Sequence, residues 1–150
     1  KKYYDDNNIH SFILDGDLVR NFYDNDLGYL KEDRIANIKR IMLSAYVLEK
    51  NDIIPIVCNI SPFEHLRDFA REKFLTYNEI HLKKDINIAK NTDIKGVYKN
   101  NITKTAIVGI DVEFEEPLKS NLTIYVDDEN EEQSFFKIVN FLEGVDNNDY

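Results

Sequence analysis

The chain has 150 residues, 43% of them hydrophobic and 12% aromatic, which is enough apolar material for one globular domain of ordinary size. A formal charge of −9 argues against nucleic acid or an anionic membrane as partner, because both reward a basic face. A single cysteine, Cys58, excludes an internal disulfide, and no signal peptide or long apolar span is present, so the sequence reads as a cytoplasmic soluble protein.

Residues 1–8, KKYYDDNN, read as the end of a helix running into an Asn-Asn turn. A short apolar strand follows at residues 10–14 and stops at Asp15-Gly16-Asp17. Beyond it lies a charged, helix-like segment carrying Arg20, Arg34 and Arg40. Its strongest part is residues 31–51, where Ile35, Ile38, Met42, Ala45 and Leu48 recur at the spacing of one apolar face. A second strand is expected at 53–59 (IIPIVCN). The next helix spans 61 to about 73, with Ser61 as N-cap, Pro62 in the first turn and Glu64 three residues on, the capping-box pattern.

Further strands are expected at 78–82 and 122–126. The last helix, 131–143, is expected to set Phe135, Phe136, Ile138, Val139 and Leu142 against the core and to stop at Gly144. Residues 145–150 read as a disordered tail, leaving one domain over 1–144. Strands alternating with helices imply an α/β fold whose parallel sheet is covered on both faces. His10, His65 and His81 show no metal-ligand spacing, and the acidic run from Asp127 to Glu132 reads as a solvated helix start.

In an open parallel sheet, ligands collect where strands turn into helices, which singles out Asp15 and Asp17. A structural reading competes: Asp15 as a strand-ending turn residue and Asp17 as a helix N-cap. The company of the motif favours function. Asp15-Gly16-Asp17-Leu18-Val19-Arg20, Asp26-Leu27-Gly28-Tyr29, Glu32 to Arg40 (EDRIANIKR) and Ile60-Ser61-Pro62-Phe63 occur in this order, followed by Asp93 to Lys99 (DIKGVYK) and Gly109-Ile110-Asp111. Together they closely resemble the adenylylsulfate kinases, P-loop kinases that phosphorylate the ribose 3′-hydroxyl of adenosine 5′-phosphosulfate, over residues 13 to about 117.

The resemblance implies a P-loop kinase-like three-layer α/β sandwich, ATP and Mg²⁺ as cofactors, a small nucleotide as substrate and a homodimer. No G-x-x-x-x-G-K-[ST] phosphate loop occurs in these residues, so further chain carrying that loop and a central strand is expected upstream. The likeness places Asp15 and Asp17 near the attacking hydroxyl, with Asp17 holding Mg²⁺ through water. Arg20, Arg34 and Asn37 match positions that bind the acceptor, where guanidinium groups suit phosphate and sulfate oxygens. Tyr29 falls where an aromatic lies on the base, and Ile60 and Ser61 beside the acceptor. For Ser61 an N-cap role with backbone contacts is favoured over a phosphoserine intermediate, as no His is placed to activate it. Lys95 matches a lysine that touches the phosphates.

Ile107-Val108-Gly109-Ile110-Asp111 stands where the family has Phe-Thr-Gly-Ile-Asp, so Ile107 and Val108 face the base without the second aromatic. A base-on-aromatic stack is worth about 1 to 3 kcal/mol, enough to redirect base preference. Residues 99–105 are also poor in basic groups, and Thr92 replaces an arginine expected to help hold ATP. Three readings follow: an adenylylsulfate kinase, a cytidine diphosphoramidate kinase of capsule biosynthesis, or a non-catalytic nucleotide-binding module.

Overall fold

The computed structural model describes residues 1–85, 87–88 and 106–144. Lys95 and the tail at 145–150 therefore lie outside the described residues. The chain forms two compact units, Lys1–Tyr77 with Ile102–Glu116, and Asn78–Asn101 with Pro117–Tyr150.

In the first unit, helix α1 (Lys2–Asp6) ends at Asn7, and Asn8 takes a left-handed φ of 57°, the conformation Asn tolerates best after Gly. Strand β1 (Ser11–Asp15) passes directly into α2 (Gly16–Phe22), and a loop leads to the long α3 (Lys31–Glu49). Strand β2 (Ile54–Cys58) then pairs in parallel with β1, in register from Ser11↔Ile54 to Asp15↔Cys58, and α4 (Glu64–Lys73) follows.

Helix α3 is the shared wall of two apolar clusters. Ile41 and Ala45 pack with Leu14 and Val19, flanked by Leu48 and Phe74. Ile38 packs with Phe63, Leu66 and Val112, flanked by Ile35 and Met42. Ile41, only 1% exposed, belongs to the buried face although the expected stripe omitted it. The reason is that the helix buries two adjoining stripes, one per cluster, rather than one.

Helix α4 begins at Glu64 with Phe63 as N-cap, not at Ser61. Its first backbone donor is met from a distance, the Glu64 N–H donating to Glu115 Oε2, so no local serine cap forms. The apolar residues Phe12, Ile13, Ile54 and Val57 of β1 and β2 stay more than a third exposed, where a sheet covered on both faces was expected. The helices that pack on the pair, α2 and α3, bury Leu14 but not these side chains.

The second unit contains β3 (Ile80–Lys83), β4 (Leu122–Tyr125) and α5 (Glu131–Glu143). The two strands pair in parallel from Ile80↔Leu122 to Lys83↔Tyr125, so the described strands form two separate parallel pairs rather than one sheet. Helix α5 has the expected bounds, set by an Asn130–Gln133 capping box and by Gly144 at φ 70°. Phe135 and Phe136 are exposed instead of buried. The half-buried positions of α5 are Ser134 and the run 138–142, so the expected Ile138, Val139 and Leu142 are partly buried while both rings are not.

Candidate functional site

The turn from β1 to α2 places the first carboxylate. Asp15 keeps extended backbone angles (φ −92°, ψ 139°) and is itself the N-cap, its Oδ1 accepting the N–H of Asp17 at 2.8 Å and of Leu18 at 3.2 Å. The expected cap at Asp17 is corrected: Asp17 is exposed in the first turn of α2, one residue inside the helix start at Gly16. Asp15 thus takes the capping role, while its second oxygen, Oδ2, accepts no hydrogen bond among the described residues.

The end of β2 presses on this turn. A Cβ at Gly16 would sit 3.3 Å from the Asn59 Cβ, tighter than ordinary contact, so glycine is what lets the strand approach. Cys58 is the register partner of Asp15, and its thiol is pushed up from the ordinary range by burial and, secondarily, by the Asp15 charge. From α3, Asn37 donates through Nδ2 to the Gly16 carbonyl at 3.3 Å. Asn37 is 5% exposed, and its Oδ1 is buried without a hydrogen-bond partner among the described residues. A buried amide oxygen left unmet is costly, and a ligand hydroxyl or amine would satisfy it.

Two arginines meet at one ring. Arg20, 6% exposed on α2, donates through Nη1 to the carbonyls of Leu27 (3.0 Å) and Gly28 (2.7 Å), and its guanidinium lies 4.5 Å from the Tyr29 ring centroid. Arg34 donates through Nε to the Tyr29 carbonyl (2.9 Å) and through Nη2 to Ala106 O (2.7 Å), with its guanidinium 5.4 Å from the same ring. Neither has a carboxylate partner among the described residues. Burial and the charge of Arg20 pull the Arg34 guanidinium down from its ordinary value, with Tyr29 opposing, although a guanidinium stays charged throughout. Two desolvated cations close together favour an anion.

The loop that carries Tyr29 is fastened on its other side. Arg40 of α3 forms a two-pronged pair with Asp26, Nη1 to Oδ1 at 2.7 Å and Nη2 to Oδ2 at 2.8 Å, and its guanidinium lies 4.0 Å from the Tyr23 ring centroid. The hydrogen bond from Arg40 holds the Asp26 carboxyl below its usual range, and the same bond raises Arg40.

Of the remaining expected residues, Ile60 is exposed and Ser61 half-buried, its carbonyl accepting from Arg67 Nη1 at 2.6 Å. Ile107 is buried at 7% exposure, its N–H donating to Asp111 Oδ2 at 2.8 Å, while Val108 packs beside the second apolar cluster. Asn37 bonds Gly16 beside Asp15, and Arg20 and Arg34 each lie against Tyr29; α2 carries Gly16 and Arg20, and α3 carries Asn37 and Arg34. Sequence reasoning missed Arg67 and Glu115, because a Glu64–Arg67 spacing reads as an ordinary helical ion pair. Among the described residues no group of three or more His, Cys, Asp or Glu could hold a metal ion. No described helix is long and apolar enough to cross a membrane.

Known proteins resemble this chain in sequence and in fold. The family described as adenylylsulphate kinase matches residues 1–125. The adenylyl-sulfate kinase of Rippkaea orientalis is 36% identical over 133 residues, covering 87% of this chain and 74% of the relative. That of Halothermothrix orenii is 35% identical over 137 residues, covering 87% of this chain and 71% of the relative. Among solved structures, the Mycobacterium tuberculosis APS kinase CysC in complex with AMPPNP and APS superposes with a TM-score of 0.84 at 24% identity, covering 95% of this chain and 85% of that one. This likeness makes the fold that of the P-loop kinases. The chain belongs to the adenylylsulphate kinase family and is a phosphotransferase that acts on an alcohol group.

Proposed function

We propose that this protein transfers the terminal phosphoryl group of ATP to the ribose 3′-hydroxyl of adenosine 5′-phosphosulfate, giving 3′-phosphoadenylylsulfate. The observation that carries the reading is the meeting of two guanidiniums, the buried Arg20 and the half-buried Arg34, at the Tyr29 ring without carboxylate partners among the described residues. In this reading they bind the phosphosulfate end of the acceptor, and the Tyr29 ring they flank lies against the nucleoside.

Asn37 Oδ1 accepts from the acceptor, which satisfies an atom otherwise unmet. Asp15 is locked by two backbone N–H groups on one oxygen, so Oδ2 is the atom that orients the 3′-hydroxyl and takes its proton as the phosphoryl group arrives. Asp17, exposed beside it, would hold Mg²⁺ through water, and the ion would offset charge on the transferring phosphoryl group. Lys95 is assigned to the phosphates by family resemblance. Ile60 and the Ser61 backbone border the acceptor, as do Ile107 and Val108, and a homodimer is expected on the same grounds.

The test is to incubate the full-length protein with ATP, Mg²⁺ and adenosine 5′-phosphosulfate, and to compare Arg34→Ala. The expected outcome is turnover that falls about a hundredfold in kcat/KM in the variant, as for loss of a charge-assisted pair. A second reading keeps the 3′-hydroxyl chemistry with cytidine diphosphoramidate as acceptor, favoured by the aliphatic, buried Ile107 where a second aromatic would grip adenine. Faster turnover of the cytidine compound would replace the first reading with the second, and turnover of neither would sink both.

A further inference from the structure

The carbonyl of Ser61 is held by a buried arginine that the mechanism above does not use. Arg67, 4% exposed on α4, donates through Nη1 to Ser61 O at 2.6 Å and through Nη2 to Glu115 O at 2.6 Å. Its Nε donates to Glu64 Oε2 at 3.0 Å, and its Nη2 reaches the same oxygen. Glu115 returns the grip: its N–H donates to Pro62 O at 2.9 Å, and its Oε2 accepts the Glu64 N–H that opens α4. One guanidinium and one glutamate therefore stitch three pieces of backbone, the segment after β2, the first turn of α4, and the segment that follows the turn at 107–112.

A planar, five-donor guanidinium suits such a node, since its fork meets several acceptors at fixed angles, whereas a lysine offers one mobile point charge. A surface ion pair does not need this. Arg67 is buried and, besides Glu64, bonds the carbonyls of Ser61 and of Glu115, the latter 48 residues away, which suits a part that sets loop positions. Both segments it joins carry residues assigned to the acceptor, Ile60 and Ser61 on one side and Ile107 and Val108 on the other. We propose that Arg67, with Glu115, is a positioning residue of the acceptor site, holding these two segments at the separation the acceptor requires. This rests on the acceptor assignment under Proposed function.

The experiment compares wild-type full-length protein with Arg67→Lys and Glu115→Gln, measuring KM for acceptor and for ATP separately, with amide hydrogen exchange at Glu64 and Glu115. Displacement of positioning groups by about 1 Å can cost on the order of a hundredfold. Acceptor KM is expected to rise about tenfold or more in Arg67→Lys, with ATP KM within about twofold, and to rise less in Glu115→Gln, which keeps an amide oxygen as acceptor. Both amides are expected to lose protection in Arg67→Lys. An unchanged acceptor KM in a folded Arg67→Lys protein overturns the proposal, as does a uniform fall in active enzyme with neither KM altered. If the wild type phosphorylates neither acceptor, the substrate reading fails, and amide exchange decides the clasp by itself: unchanged protection at Glu64 and Glu115 in Arg67→Lys overturns it.

Discussion

Asp15 caps α2 with one oxygen and is proposed to act on the acceptor with the other, and a single substitution separates the two tasks. Asparagine caps helices about as well as aspartate, whereas alanine costs about 1 kcal/mol, so Asp15→Asn is expected to keep thermal stability close to wild type while Asp15→Ala lowers it. Both are expected to abolish most phosphoryl transfer, because neither carries a carboxylate to take the proton. The same Asp15→Asn variant tests the neighbouring thiol. The pH midpoint for alkylation of Cys58 should fall when the Asp15 charge is removed, yet stay above the ordinary thiol value, since burial is the larger cause of its shift. At this scale the sequence singled out the Asp-Gly-Asp turn, both arginines and Asn37 for chemistry, and the structure sets Asn37 against Gly16 and both arginines against Tyr29. Which aspartate caps α2 was not legible, because both choices satisfy the same local preference and differ by only two positions. Nor could spacing reveal that Arg20 grips the carbonyls of Leu27 and Gly28, since that depends on the path of a loop with Asp24 and Asn25 at left-handed φ values of 53° and 54°.

The elements were most legible where their ends are fixed by neighbours in sequence. Helix α5 begins and ends as expected because a capping box and a left-handed glycine act within a few residues of it. The start of α4 differs because the group that meets its first donor, Glu115, lies 51 residues away, and long-range hydrogen bonding outweighed the Ser-Pro-Phe-Glu pattern. The loop between α2 and α3 is tied to α3 by Asp26 and Arg40, a pair with a definite pH signature. The folded Asp26 carboxyl titrates below its usual range, so its contribution is complete above the ordinary carboxylate value and is lost as pH falls through the lowered one. An NMR titration of the Asp26 carboxyl should show that depressed midpoint, and Arg40→Ala should return it upward.

At the scale of the whole molecule, an acidic protein is proposed to bind an acidic substrate. The chain carries a net −9, yet the proposed acceptor ends in phosphate and sulfate groups and is held by two converging guanidiniums. Long-range repulsion is screened by salt over about 8 to 10 Å, whereas contacts within a partly buried site are screened much less. Raising ionic strength from a low value toward the physiological range is therefore expected to increase kcat/KM for the acceptor, opposite in sign to a basic anion-binding protein. A steady fall in kcat/KM with salt would show that local attraction dominates. The net charge was readable at once, but the meeting of Arg20 and Arg34 was not, because it needs side chains from α2 and α3 at one ring. The shared wall formed by α3 has a kinetic meaning as well. Since Ile41 and Ile38 anchor different clusters on one rigid rod, neither cluster can melt and leave the other intact, and the first unit should open as a single cooperative foldon, the amides of β1 and α4 exchanging with solvent in one common event.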